Sequence, residues 1–110
     1  WKEDDVTEKE LYEGLLSLGY PVAYSRFAEG NVPNPPYIVY IDQGSTNFAA
    51  DGKAYWQTGE VDIELYSKKK DLEAEARIKG WLDQNKIFYN TEEYYIESEK
   101  LIQVIFMISL

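Results

Sequence analysis

An α+β domain, a mostly antiparallel sheet flanked by two helices, is what three features of this sequence predict. Two segments repeat their apolar residues at helical spacing, and at least three others alternate or cluster β-branched and aromatic residues. Their order is helix, two or three strands, helix, then a closing meander, so helices must cover a sheet of strand runs.

The first helix is expected over residues 7–18. Thr7-Glu8-Lys9-Glu10 reads as a capping box, the Thr hydroxyl taking the N3 amide while Glu10 reaches back. Leu11, Leu15 and Leu18 follow at helical spacing, and Asp4 and Asp5 precede the start, where the helix dipole favours acids. Gly19 supplies a left-handed stop and Pro21 forbids continuation. Residues 21–27 form a short strand, and residues 28–36 a loop stiffened by Pro33, Pro35 and Pro36. Residues 37–42, YIVYID, have the composition of a buried strand.

Residues 43–53 are expected to be a polar loop, of a length that is uncommon in a compact domain unless it is functional. Residues 54–66 then make a long strand. Val61, Ile63 and Leu65 point to one face, and Glu60, Asp62 and Glu64 to the other. Asp71 caps a second helix over residues 71–84, with Ala74, Ile78, Trp81 and Leu82 on one stripe and Gly80 costing ~1 kcal/mol relative to Ala. Residues 86–90 and 93–97 read as two strand pieces. In the last strand, residues 101–110, Ile102, Val104, Phe106, Ile108 and Leu110 form one apolar face. The opposite face is also mostly apolar, which predicts a central strand covered on both sides. The chain is read as a single domain spanning residues 1–110, with no internal repeat.

Composition excludes whole classes of chemistry. With no histidine and no cysteine there is no Ser-His-Asp triad, no Cys-His pair and no soft ligand for zinc. Twenty acidic residues against eleven basic ones give a net charge of −9, so the chain repels nucleic acid and anionic lipid. No signal-peptide pattern opens the sequence and no apolar run approaches the ~20 residues of a membrane span, so an intracellular protein is expected.

Few residues invite a chemical reading. Asp51-Gly52-Lys53 matches neither an EF-hand nor a phosphate loop, and is better read as a turn with Gly at positive φ. Lys68-Lys69-Lys70 reads as solvated lysines between strand and helix. Glu60, Asp62 and Glu64 are strung along one face, which fits a solvated sheet face. The functional variant is an acidic surface past which a negative polymer slides without sticking. The aromatics are the anomaly: ten tyrosines and three tryptophans exceed what so small a core absorbs. Tyr55-Trp56 and Tyr94-Tyr95 are adjacent pairs, so one of each must leave the core, and such residues anchor protein interfaces.

Several stretches together resemble small tail-assembly proteins of long-tailed phages and prophages of Gram-positive bacteria. They are Gly19-Tyr20-Pro21-Val22-Ala23-Tyr24, Pro35-Pro36-Tyr37-Ile38-Val39-Tyr40, the segment from Asn47 to Tyr55, Glu64-Leu65-Tyr66 before the lysines, and Tyr95-Ile96-Glu97-Ser98-Glu99. Within that group the chain looks most like the tail terminator, also called the tail-completion or tail-to-head joining protein. The resemblance implies a hexameric ring of identical copies, with no catalytic residues and no cofactor. The ring caps the tail tube, made of the major tail protein, and presents a surface to the head–tail connector. It implies a place in the virion at the tail–head junction and in the host cytoplasm during assembly. Interface residues are then Phe48, Asp51, Gly52, Tyr55 and Trp56, and Glu60, Asp62 and Glu64 line the channel. Three other readings stand beside it: a head–tail connector or head-completion protein, a small acidic binding module that mimics DNA, and a Mg²⁺-dependent hydrolase using Asp42, Asp51 and Glu64.

Overall fold

The computed structural model describes residues 6–50 and 53–110, with side chains described for residues 6–44 and 59–110. In chain order the elements are α1 (Glu8–Leu16), β1 (Val22–Tyr24), β2 (Tyr37–Ala50), β3 (Lys53–Ser67), α2 (Leu72–Gln84), β4 (Tyr89–Ile96) and β5 (Leu101–Ser109). The five strands form one sheet in the order β1-β2-β3-β5-β4. Only β1 and β2 run parallel. The fold is α+β, with a mostly antiparallel sheet.

Both helices form where the sequence places their signals. Thr7 caps α1 with a reciprocal box: the Glu10 N–H donates to Thr7 Oγ1 at 3.1 Å and the Thr7 N–H to Glu10 Oε1 at 2.9 Å. Gly19 takes the left-handed conformation beyond its end, at φ 99°. Asp71 caps α2 by accepting from the Ala74 N–H at 3.0 Å. Leu11 and Leu15 from α1 and Ala74, Ile78 and Leu82 from α2 are buried in one cluster with Ile38, Ile63, Leu65, Val104, Phe106 and Ile108 of the sheet. Both helices therefore lie on the same face. Gly14 lets α1 approach the Trp81 indole of α2 closely, because a Cβ there would fall 2.2 Å from Trp81 Cζ2. Arg77 of α2 reaches back to the end of the first helix, donating to the Leu18 carbonyl at 3.0 Å.

Four expectations change. The residues read as a polar loop over 43–53 are strand: β2 continues to Ala50 and β3 starts at Lys53, with Ala50 paired to Lys53. Asp51 and Gly52, which link them, lie outside the described residues. The two strand pieces after α2 are one strand, β4, because its ladder to β5 runs without a break from Tyr89 to Ile96. β5 is interior in the sheet, as predicted, but helices cover only one side of it. Its other side carries Gln103, Ile105 and Met107, all half-buried. Lys70 is not merely solvated: it pairs with Glu75 of α2 at 2.8 Å and with Glu93 of β4, tying the start of the helix to the edge strand. These two carboxylates, Glu75 first, push the Lys70 ammonium above its ordinary range. Among the described residues no helix is long and apolar enough to cross a membrane.

Candidate interaction surfaces

Three surfaces stand apart from the core. The first is a hairpin arm. β3 pairs with β5 only from Glu60 onward, and β2 pairs with β1 only over Ile38–Tyr40. Beyond those limits, among the described residues, 46–50 and 53–58 pair only with each other. At ~3.3 Å per residue the overhang is about 20 Å long, and the molecule measures 48 × 28 × 23 Å. The arm leaves the sheet at a bulge between Asp42 and Gly44. There Gly44 takes φ 101° and its N–H donates to Asp42 Oδ1 at 2.8 Å. A bulge of this kind bends and twists the strand that carries it. Phe48 stands opposite Trp56 in the arm, and a second register shift follows between Phe48 and Ala49, beside Tyr55. Phe48, Tyr55 and Trp56 thus share the arm at the level of the backbone.

The second surface is the sheet face away from the helices. Alternation along the paired strands places three rows on it: Tyr37–Tyr66–Gln103–Tyr94, Val39–Glu64–Ile105–Glu92 and Ile41–Asp62–Met107–Asn90. Glu60, Asp62 and Glu64 share this face as the sequence implies, yet it is not an open acidic stripe. Glu64 is only 8 % exposed and accepts a hydrogen bond from the Tyr66 hydroxyl at 2.7 Å, which itself accepts from Gln103 Nε2 at 2.8 Å. Asp62 and Glu60 are half-buried, accepting from Gln43 Nε2 at 3.2 Å and from Ser109 Oγ at 2.9 Å. Burial is the main cause that pushes the Tyr66 phenol up. The hydrogen bond to Glu64 and that residue's charge add to it, and Gln103 opposes.

Toward one end this face hollows into a cleft of about 330 Å³, lined by Phe27, Val32, Tyr37 and Tyr66 with Arg26 and Glu99 at its edge. The aromatic rings set its walls: Tyr37 stacks on Tyr66 at 5.2 Å between centroids, and Phe27 meets Tyr37 edge-on at 5.4 Å. Composition gives no hint of this cleft, since its parts come from the loop after β1, from β2, β3 and β4, and from the turn that follows β4.

The third surface is the edge formed by β4 and the turn before it. Tyr94 and Tyr95 are both exposed, so neither enters the core. Phe88 is 96 % exposed. Composition does not single out Phe88, but the alternation in Ile87-Phe88-Tyr89 is its signal in the sequence: Ile87 and Tyr89 both pack on the core, leaving the residue between them outside.

The carboxylates of the hydrolase reading do not converge. Asp42 pairs with Val61, a residue of the helix-side core, whereas Glu64 lies on the other face, and Asp51 is outside the described residues. Among the described residues no group of three or more acidic side chains could hold a metal ion.

No protein-family model matches the sequence, and no curated protein does. Among solved structures the fold is similar to a chain in the virion of a native gene transfer agent (GTA) particle. The TM-score is 0.61 at 12 % identity, over 86 % of this chain and 81 % of that one. The fold is shared with a virion component. At this identity the likeness is one of backbone architecture, and the side chains of the arm, the acidic rows and the cleft belong to this chain.

Proposed function

We propose that this chain is a structural protein of a phage-like particle, a tail terminator. It assembles as a ring, caps the tail tube and offers the joining surface for the head. The observation that carries the reading is the arm. A two-stranded ribbon is at best marginally stable alone in water, so one that overruns its own sheet by about 20 Å is suited to lie on another subunit or on the tube end. The shared fold with a virion chain supports the same class of role, and so does the sequence resemblance to tail-completion proteins. In this reading Phe48, Asp51, Gly52, Tyr55 and Trp56 contact a neighbouring copy or the tube. Glu60, Asp62 and Glu64 give the channel side its negative charge. The partners are further copies of the chain, the tail-tube protein and the head–tail connector, and the role involves no catalysis and no cofactor.

Electron microscopy of particles assembled without this chain tests the reading. Tails of irregular, extended length without heads are expected. Tails of normal length beside separate filled heads would refute termination and place the protein on the head side of the joint.

A further inference from the structure

We infer that copies of this chain associate head to tail by seating Phe88 of one copy in the aromatic cleft of the next. This deepens the ring reading, on which it rests, by naming the two surfaces that meet. Phe88 is the most exposed large apolar side chain among the described residues, at 96 %. None of the described residues covers it, and leaving such a ring in water forgoes the burial that makes aromatics interface anchors. The cleft bounded by Phe27, Val32, Tyr37 and Tyr66 has about 330 Å³ of space. An apolar cavity of roughly 150 Å³ already accepts a benzene-sized ring, so a phenyl group fits with room for its flanking backbone.

Charge complementarity selects a second copy as the occupant. Asp83 and Lys86 flank Phe88, and Arg26 and Glu99 flank the cleft. All four are exposed, and none is in an ion pair among the described residues. With Phe88 seated, Lys86 can meet Glu99 while Asp83 meets Arg26. Two opposite-sign contacts then offset part of the repulsion between chains of charge −9. Knob and cleft lie at opposite ends of β4: Phe88 directly precedes Tyr89, and Ile96, the last residue of the strand, lines the cleft. A contact between two different surfaces is heterologous, and it closes into a ring when the rotation between copies permits.

Sedimentation of the intact chain at high concentration tests this. Wild type should self-associate, and Phe88→Asp should weaken association by at least roughly 30-fold, the equivalent of the ~2 kcal/mol that marks a hot spot. Its thermal melt should stay unchanged, because Phe88 makes no core contact. Val32→Asp, at a position 58 % exposed on the cleft wall, should do the same. Mixing the two variants should give a 1:1 dimer and nothing larger, since one retains only the cleft and the other only the knob. Lys86→Glu and Glu99→Lys should each weaken association, and the double variant should restore it, an arm that does not depend on the cleft wall folding normally. Association of Phe88→Asp at wild-type strength, or a mixture that stays monomeric, overturns the inference. So does a wild-type chain that is monomeric throughout and gives no cross-link between copies when Lys86→Cys and Glu99→Cys are oxidised together. A Phe88→Asp chain that is monomeric yet still stops tails leaves this contact standing and refutes the ring. One that associates normally while tails still terminate does the reverse.

Discussion

Replacing Gly14 by Ala separates two opposing effects with a known sign. In a helix interior the change favours folding by ~1 kcal/mol, because Gly loses more backbone entropy. Against it stands the Trp81 indole. The added Cβ would lie 2.2, 2.3 and 2.5 Å from Trp81 Cζ2, Cε2 and Nε1, where carbon atoms prefer ~3.5–4.0 Å. These three atoms belong to a rigid bicyclic ring set against α1 and packed on the core, so α1 must shift or the indole must leave its place. Overpacking of this kind costs ~1–3 kcal/mol, and three contacts this short on a rigid ring put the cost at the upper end, ~2–3 kcal/mol. The net effect expected is a loss of ~1–2 kcal/mol, or a fall in Tm of roughly 4–8 °C. Gly80→Ala is the internal control: nothing lies within 4 Å of its added Cβ, so it should gain up to ~1 kcal/mol. Urea denaturation followed by circular dichroism reads both. In a Trp81→Ala background Gly14→Ala should turn stabilising, giving a coupling of ~2–3 kcal/mol in the double-mutant cycle. If Gly14→Ala raises stability as Gly80→Ala does with Trp81 present, the close helix approach is not a constraint and the reasoning fails.

Lys70→Ala should cost ~1–2 kcal/mol in the same assay, because it leaves the buried Glu75 carboxylate without its cation; the figure is discounted since Lys70 is itself 42 % exposed. Lys68→Ala and Lys69→Ala, at exposed positions, should stay within about ±0.5 kcal/mol. The raised Tyr66 phenol predicts an alkaline dependence of definite sign. Its contribution is fully present below its ordinary value near 10.0 and is lost as pH rises from there toward the folded value. Stability in strong base should therefore fall less steeply in Tyr66→Phe than in wild type, and equal slopes in pH-resolved urea melts would contradict the Glu64–Tyr66–Gln103 chain. Trp56→Ala should leave the melt within about ±0.5 kcal/mol, since the arm carrying it pairs with no other strand, and should abolish capping of tails seen by electron microscopy. A normal tail-length distribution with that variant would exclude Trp56 as an anchor.

Local chemistry was legible in the sequence wherever a feature is decided within a few residues. The capping box at Thr7 and Glu10, the stop at Gly19, the cap at Asp71 and the alternation of Val61, Ile63 and Leu65 all depend on neighbours along the chain, and each stands as read. The first strand of the hairpin arm, residues 43–50, failed that test for a physical reason, whereas its second strand was read as strand from Ala54 onward. Apart from Phe48 the residues of that first strand are small or polar, with little of the β-branched and aromatic run that marks a buried strand, and what holds them extended is pairing across the hairpin. Asp51-Gly52, a dipeptide favoured in two-residue hairpin links, was the available signal. Which face the helices cover, and hence that Glu64 sits buried against Tyr66 while β5 keeps one side half-open, was decided by the packing of α1 and α2 together. The same holds for Lys70, whose two carboxylates come from α2 and β4, and for the cleft, whose aromatic walls Phe27, Tyr37 and Tyr66 span 39 positions of the chain. Sequence fixes what a segment can do alone. Contacts between segments far apart in the chain exist only after collapse has selected one register and one covered face.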